Sequence, residues 1–188
     1  MRKRHRIFIA INLPSEIKKY LWRLQSQWQD VPANWVPPEN LHITVVFLGD
    51  IDDQQLGQVC LAVKEVIAQH QTFAITLEKI AFGPEGKIPP RYIWAGSQGY
   101  KELEILKKDL ETALSEHIHL SIDRRPFAPH VTLAKIKEFQ WRGINPEERP
   151  EVHQDLSLEF TVESIEVMES ELKREGPKYT VIESHQLL

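Results

Sequence analysis

Cysteine is almost absent from this chain. Cys60, the single one in 188 residues, cannot form an internal disulfide, which suits a reducing compartment and sets the expectation of a cytoplasmic protein. It falls at an apolar position of a predicted helix, where a buried, inert thiol is a simpler reading than a nucleophile. Long apolar runs are also missing. No stretch approaches the roughly 18 residues that a membrane span needs, so no membrane partner is expected. The basic start, Met1 to Arg6, is followed only by the short run Ile7 to Ile11 before Asn12 and Pro14, too brief an apolar core for a secretory signal. Positive charge is not in excess either: 23 Lys and Arg against 27 Asp and Glu leave a net charge of −4. That argues against a broad surface tracking phosphates, and any nucleic acid should be held locally, by an end or a single group.

What is present is apolar material for a core. The chain is 41% hydrophobic with 12 prolines, and a chain of this size buries about 70% of the surface its unfolded form exposes, without a metal or disulfide staple. One monomeric domain over residues 1–188, in two closely packed lobes, is the expectation.

The most informative stretch is Leu41-His42-Ile43-Thr44-Val45-Val46-Phe47-Leu48-Gly49. Its β-branched and aromatic residues, closed by Gly49-Asp50, predict a strand. Side chains two apart share a strand face, so His42 and Thr44 point one way and Ile43 and Val45 the other. The pattern returns 88 residues later as His130-Val131-Thr132-Leu133, inside the apolar run Val131 to Ile136. One copy reads as a half-buried strand with an ordinary polar face. Two copies point to a site.

Around these strands, Arg6 to Asn12 predicts a strand, and Pro14 followed by a Ser15 cap opens a helix to about Trp28 with Ile17, Leu21, Leu24 and Trp28 on one stripe. Trp35 lies in the Pro-rich connector Val31 to Asn40, where core packing is favoured over stacking on a base. Asp52 to Gln69 predicts an acid-started helix, and Phe73 to Phe82 and Arg91 to Gly96 two strands around the turn-rich Gly83 to Pro90. Gly99 to His117 predicts a third helix on Leu103, Leu106, Leu110 and Leu114. Arg124 to Pro129 should bring His130 into its strand stiffly extended. Lys137 to Asp155 reads as a surface excursion or short helix, and Leu156 to Lys173 and Tyr179 to Leu187 as two strands around Glu175-Gly176-Pro177. This order predicts an α+β fold of two pseudo-symmetric lobes. Each is a mainly antiparallel sheet with helices on its outer face, and the two His-Thr faces meet across a catalytic cleft.

At this point the motifs carry a resemblance. RIFIAINLP at 6–14, NLHITVVFLGD at 40–50, RYIWAG at 91–96, RPFAPHVTLAKI at 125–136 and MESELKREGPKYTVIES at 168–184 are similar to the two-histidine phosphoesterase superfamily. Within it the chain resembles the RNA 2′,3′-cyclic phosphodiesterases, also called LigT-like or 2′-5′ RNA ligases. The resemblance implies RNA ends or oligonucleotides with a 2′,3′-cyclic phosphate as partner, no cofactor, and hydrolysis to a 2′-phosphate. His42 would be the proton donor to the 3′ oxygen and His130 the proton acceptor. It also implies, in the joining direction, 2′-5′ RNA ligation. Where the family usually carries an Arg five residues after the second His, this chain has Lys135, keeping the charge but not the bidentate fork. By strict alternation Lys135 faces away from His130 and Thr132, and it reaches the cleft only if the strand bulges.

The residues themselves support that chemistry. Two imidazoles with ordinary pKa values of roughly 6.5 can act as acid and base at neutral pH. Attack on phosphorus and departure of the ribose oxygen lie in line, so acid and base belong on opposite sides of a cleft. Thr44 and Thr132 can donate hydrogen bonds to non-bridging oxygens, and no metal is required. The duplicated pattern alone leaves open which His does which. Two other readings stay open: a non-catalytic RNA- or nucleotide-binding module, and a metal-dependent hydrolase using His42, His130 and a carboxylate. His117-x-His119 and the Arg2 to Arg6 and Arg124-Arg125 groups read as solvated surface.

Overall fold

The computed structural model describes residues 4–97, 99–119, 127–174 and 176–188. In chain order the strands are β1 (Arg4–Asn12), β2 (Ala33–Trp35), β3 (His42–Asp52), β4 (Phe73–Gly83), β5 (Tyr92–Gly96), β6 (His130–Ile136), β7 (His153–Val162), β8 (Ser164–Lys173) and β9 (Gly176–Gln186). The helices are α1 (Ser15–Leu24), α2 (Asp53–Ile67), α3 (Lys101–Ser115) and α4 (Glu138–Arg142). Among the described residues no helix is long and apolar enough to cross a membrane.

The strands run in the order β7-β4-β5-β6-β3-β1-β8-β9, every described pairing antiparallel, with β2 added against β6. β3 and β6 stand at the middle of that order and meet at a single partner pair, Ile43 with Val131. To either side lies one lobe, β3-β1-β8-β9 and β6-β5-β4-β7. The two lobes are thus joined along the two His-Thr strands. Each motif stays paired with its own lobe, on β1 or β5, and the residue between its His and Thr makes the partner pair to the other lobe.

The inward faces follow from side-chain alternation, interrupted by bulges. In β3 the pairing with β1 skips between Phe8–Phe47 and Ile7–Gly49, and between Ala10–Thr44 and Ile9–Val46, so Leu48 and Val45 are extra residues. Val45 and Val46 are consequently both buried, and the outward set becomes His42, Thr44 and Phe47. In β6, Trp94 pairs with Thr132 and Ile93 with Ala134, making Leu133 the extra residue. Leu133 and Ala134 are both buried, and the outward set is His130, Thr132 and Lys135. A bulge changes the parity of a strand, and here it does so at matching places in both halves.

Helix positions were readable from apolar spacing. Leu103, Leu106, Leu110 and Leu114 of α3 are all fully buried, each contributing roughly 1.5–3 kcal/mol by burial. α2 is closed at its start by a capping box between Asp52 and Gln55, consistent with the acidic opening expected there. α1 begins on Ser15 itself, with Pro14 in the cap place and no side-chain cap bond. Ser15 is therefore not the cap: Pro14, with φ of −54°, presets the entry. The last turn to Trp28 is a 3-10 turn.

One expectation is overturned. Leu156 to Lys173 is not one strand but two, since β7 pairs with β4 and β8 with β1, in opposite lobes. The buried positions change parity there, from Phe160 and Val162 to Ile165 and Val167, which a single strand cannot accommodate on one face. β2 was also not expected, and Lys137 to Asp155 holds the short helix α4.

Candidate active site

His42 and His130 line one cavity of about 980 Å³ between the lobes, together with Thr44, Thr132 and Lys135. The structure thus brings together all five residues singled out from the sequence. Lys135 is there because of the Leu133 bulge, and Asn34 of β2 pairs directly with it.

Each imidazole is fixed by the backbone just before its own strand. His42 Nδ1 lies 2.7 Å from the Asn40 carbonyl, and His130 Nδ1 lies 2.8 Å from the Ala128 carbonyl. A carbonyl only accepts, so in both rings Nδ1 carries a proton and donates it. In the neutral ring Nε2 is then the basic atom, and in the cation it is the acid that remains to be used. Nε2 of His42 stands 3.1 Å from the Thr44 hydroxyl. The repeated two-residue offset between carbonyl and ring, 40 to 42 and 128 to 130, gives both halves the same tautomer.

Their surroundings differ. His42 packs between Phe8, 5.0 Å away, and the edge of Tyr179, 5.1 Å away. His130 lies flat against Trp94, with centroids 3.7 Å apart and planes at 22°. Trp94 lies low because Gly83 is beneath it: a Cβ on Gly83 would fall 2.2 Å from the indole. Burial holds both imidazoles below their ordinary pKa, opposed in each by the carbonyl hydrogen bond. Positive charge on Lys18 and on His130 lowers His42 further. Lys18 is anchored by Asn12 Oδ1 at 2.6 Å and the Glu39 carbonyl at 3.3 Å.

The charge of the cavity is positive. Lys135 and Arg174 line it, and among the described residues no Asp or Glu does. Such a lining suits an anion bearing phosphate oxygens. It leaves no carboxylate to complete the metal site of the hydrolase reading, and no group of three or more His, Cys, Asp or Glu side chains among the described residues is placed to hold a metal.

The phosphoesterase family described as "LigT like Phosphoesterase" matches residues 11–94 and again 97–179. The chain belongs to this LigT-like phosphoesterase family. Each matched segment holds one His-Thr motif, in keeping with the duplication read from the sequence. A relative from Geobacillus stearothermophilus, named RNA 2′,3′-cyclic phosphodiesterase, is 34% identical over 99% of this chain. This chain spans 58% of that protein's length. A Methanocaldococcus jannaschii protein of the same name is 31% identical over 94% of this chain and 98% of its own. In three dimensions, the crystal structure of a Thermus thermophilus protein superposes with a TM-score of 0.83, at 28% identity and 97% coverage of both chains.

Several lining residues of this LigT-like chain lie in the stretches that carry the resemblance but were not singled out as site residues. Trp94 and Tyr92 come from β5, Arg174 from the β8–β9 connection, and Tyr179 from β9. The β8–β9 hairpin reaches the site because Asn40 Nδ2 donates to the Pro177 carbonyl at 2.7 Å. Trp35 packs against the core, as favoured for it, and also lines the cavity. Cys60 is buried, its thiol pushed up to about 11 by burial and the neighbouring Glu183, an unreactive setting. Arg2 and Arg124-Arg125 lie outside the described residues.

Proposed function

We propose that this chain hydrolyses RNA 2′,3′-cyclic phosphate ends to 2′-phosphates, without a metal, using His42 and His130 as general acid and base. The observation that carries the reading is the pair of imidazoles in one cationic cavity, each with Nδ1 tied to a carbonyl and Nε2 left for chemistry. The names of the relatives agree with the substrate class.

In the proposed reaction, His130 Nε2 takes a proton from water as the oxygen attacks phosphorus. The bond to the 3′ oxygen breaks, and His42 Nε2 gives its proton to that oxygen. The product keeps its phosphate on the 2′ oxygen, and the two rings have exchanged protonation states. Thr44 and Thr132 donate to the non-bridging oxygens, and Lys135 with Arg174 balances their charge. The same step with an RNA 5′-hydroxyl in place of water makes a 2′-5′ linkage, the ligation associated with the family.

The unequal surroundings support these roles. The base becomes a cation in the transition state, and the face of Trp94 against His130 stabilises a cation. The acid must part with its proton. Burial and the Lys18 charge around His42 favour its neutral form, making it a stronger acid.

The test is one oligonucleotide ending in a 2′,3′-cyclic phosphate, incubated with excess EDTA. A 2′-phosphate product at an undiminished rate is expected. A 3′-phosphate would reverse the leaving oxygen, loss of turnover restored by one added metal would favour a metal-dependent hydrolase, and no product from folded protein would favour a binding module.

A further inference from the structure

The indole of Trp35 belongs to two hollows. It lines the catalytic cavity, and it also walls a smaller groove of about 370 Å³ whose other sides are Trp22 and Arg23 of α1 and Gln25, Ser26 and Gln29 just after it. The apolar stripe of α1 is turned to the core, with Leu21 and Leu24 buried and Trp28 buried in the turn that follows. Trp22 lies off that stripe and is 53% exposed. A single exposed aromatic is ordinary on a protein surface. Trp22 differs in sharing one groove with a second indole, a guanidinium and two amide side chains.

The groove is tied to the catalytic strand. Gln25 is buried and its Nε2 donates to the Val36 carbonyl at 3.0 Å, while the Val36 N–H donates to the Leu133 carbonyl at 2.8 Å. Leu133 is the bulge that turns Lys135 inward, and Asn34 and Trp35 pair with Lys135 and Ala134. The groove therefore continues the cleft past its Lys135 end, with Trp35 as the shared wall. Charge marks the same place. In a chain of net charge −4, the stretch Ile17 to Gln29 holds Lys18, Lys19 and Arg23 and no Asp or Glu.

We propose that Trp22, Trp35 and Arg23 form an outer RNA subsite, in which a base preceding the cyclic-phosphate terminus stacks on Trp22 and Arg23 faces a backbone phosphate. The proposal rests on the RNA reading of the cleft and extends it along the strand. Stacking on an indole tolerates any sequence, because every base has a π face, and neighbouring cations hold the backbone. An acidic protein segment would answer the same charge, but it has no need of a π face at Trp22. The preferred substrate is then an RNA end long enough to pass Trp35, rather than a free cyclic mononucleotide.

The experiment measures kcat/KM for 2′,3′-cyclic-phosphate substrates of increasing length, from the mononucleotide upward, and the binding of a labelled oligonucleotide bearing the 2′-phosphate product end at several salt concentrations. In the parent, kcat/KM should rise once the strand reaches the groove. Trp22→Ala should lower the ratio of long-substrate to mononucleotide kcat/KM roughly five- to a hundred-fold, the range for loss of one base–aromatic stack, and weaken binding to match. Trp22→Phe should keep most of both, whereas Trp22→Leu, apolar but without a π face, should not. Arg23→Gln should lower the slope of log binding constant against log salt by about 0.7, the value for one phosphate contact on a single strand. Tyr20→Ala, on the same helix but outside the groove, should match the parent in both measurements. An unaltered ratio and unaltered binding in Trp22→Ala, at an unchanged melting temperature, would overturn the subsite. Equal losses at every length, or Trp22→Leu behaving like Trp22→Phe, would overturn it as well. A parent protein that turns over none of these substrates would sink the hydrolase reading instead, and the binding measurement would still decide the subsite.

Discussion

The halves around His42 and His130 are built on one pattern and end in different chemistry. Both present His, Thr and a third residue past a bulge, and both fix Nδ1 on the carbonyl two residues earlier. Yet His130 lies flat on an indole over a glycine, while His42 sits between a tilted Phe8 ring and Tyr179 set perpendicular to it, with the Lys18 charge acting on it. The lesson is that a duplicated motif supplies two equivalent groups, and the neighbouring strands make them unequal. Two equal imidazoles could share the work in either order, and unequal surroundings bias which ring holds the proton before the reaction.

The most severe way to break the comparison is to remove either ring. His42→Ala and His130→Ala should each cut turnover of a cyclic-phosphate end by about 10²–10⁴-fold, and the double variant should fall by less than the product. Melting temperatures should stay near the parent's, because Ile43, Val45, Val131 and Leu133 carry the packing. Losses that multiply fully in steady-state assays would mean the two rings do not act in one step.

Lys135 tests whether the cationic end is needed. Lys135→Ala should lower kcat/KM roughly ten- to a hundred-fold, the range for a lost hydrogen bond to a charged group, and Lys135→Arg should keep or raise it. Kinetics of Lys135→Ala that match the parent would remove the residue from the site.

A finer test concerns the support of His130. Trp94→Leu should lower turnover roughly two- to thirty-fold through loss of the ring face and move the His130 limb of the pH–rate profile to lower pH. Gly83→Ala leaves Trp94 in the sequence but drives it off the sheet, and should reproduce the same displacement of that limb. A profile unmoved by both changes would show that the stack is packing only.

The smallest expected effect is on the pH profile. The base must be neutral, so the rate falls as pH drops through its pKa, and the acid must be protonated, so the rate falls as pH rises through its own. Both imidazoles are lowered in the free protein. The kcat/KM bell should therefore centre on the acid side of the ordinary imidazole value of roughly 6.5. Lys18→Met removes a charge that lowers His42, so it should shift one limb upward by a fraction of a unit. A bell centred well above the ordinary value, measured at fixed ionic strength, would contradict these environments.

Much of this was legible in the chain. The His-x-Thr pairs, the leucine stripe of α3 and the acid cap of α2 are local patterns, and each sets a side-chain direction or a helix face through backbone geometry alone. The two strands hidden in Leu156 to Lys173 were harder. Their boundary was marked only by a change in the parity of buried positions around Glu163, a signal that depends on knowing which residues are buried.

The sequence by itself determined that two imidazoles, each with a hydroxyl beside it, would face outward from two apolar strands, because alternation over one residue pair needs no partner. Only the tertiary structure decided what surrounds them. The bulge that turns Lys135 inward is a mismatch between β6 and β5. Trp94 over Gly83, Tyr179 beside His42 and Arg6 on Phe47 each join residues from different strands. Such contacts follow from strand order and register, which non-local pairing sets, and so no single stretch of chain contains them.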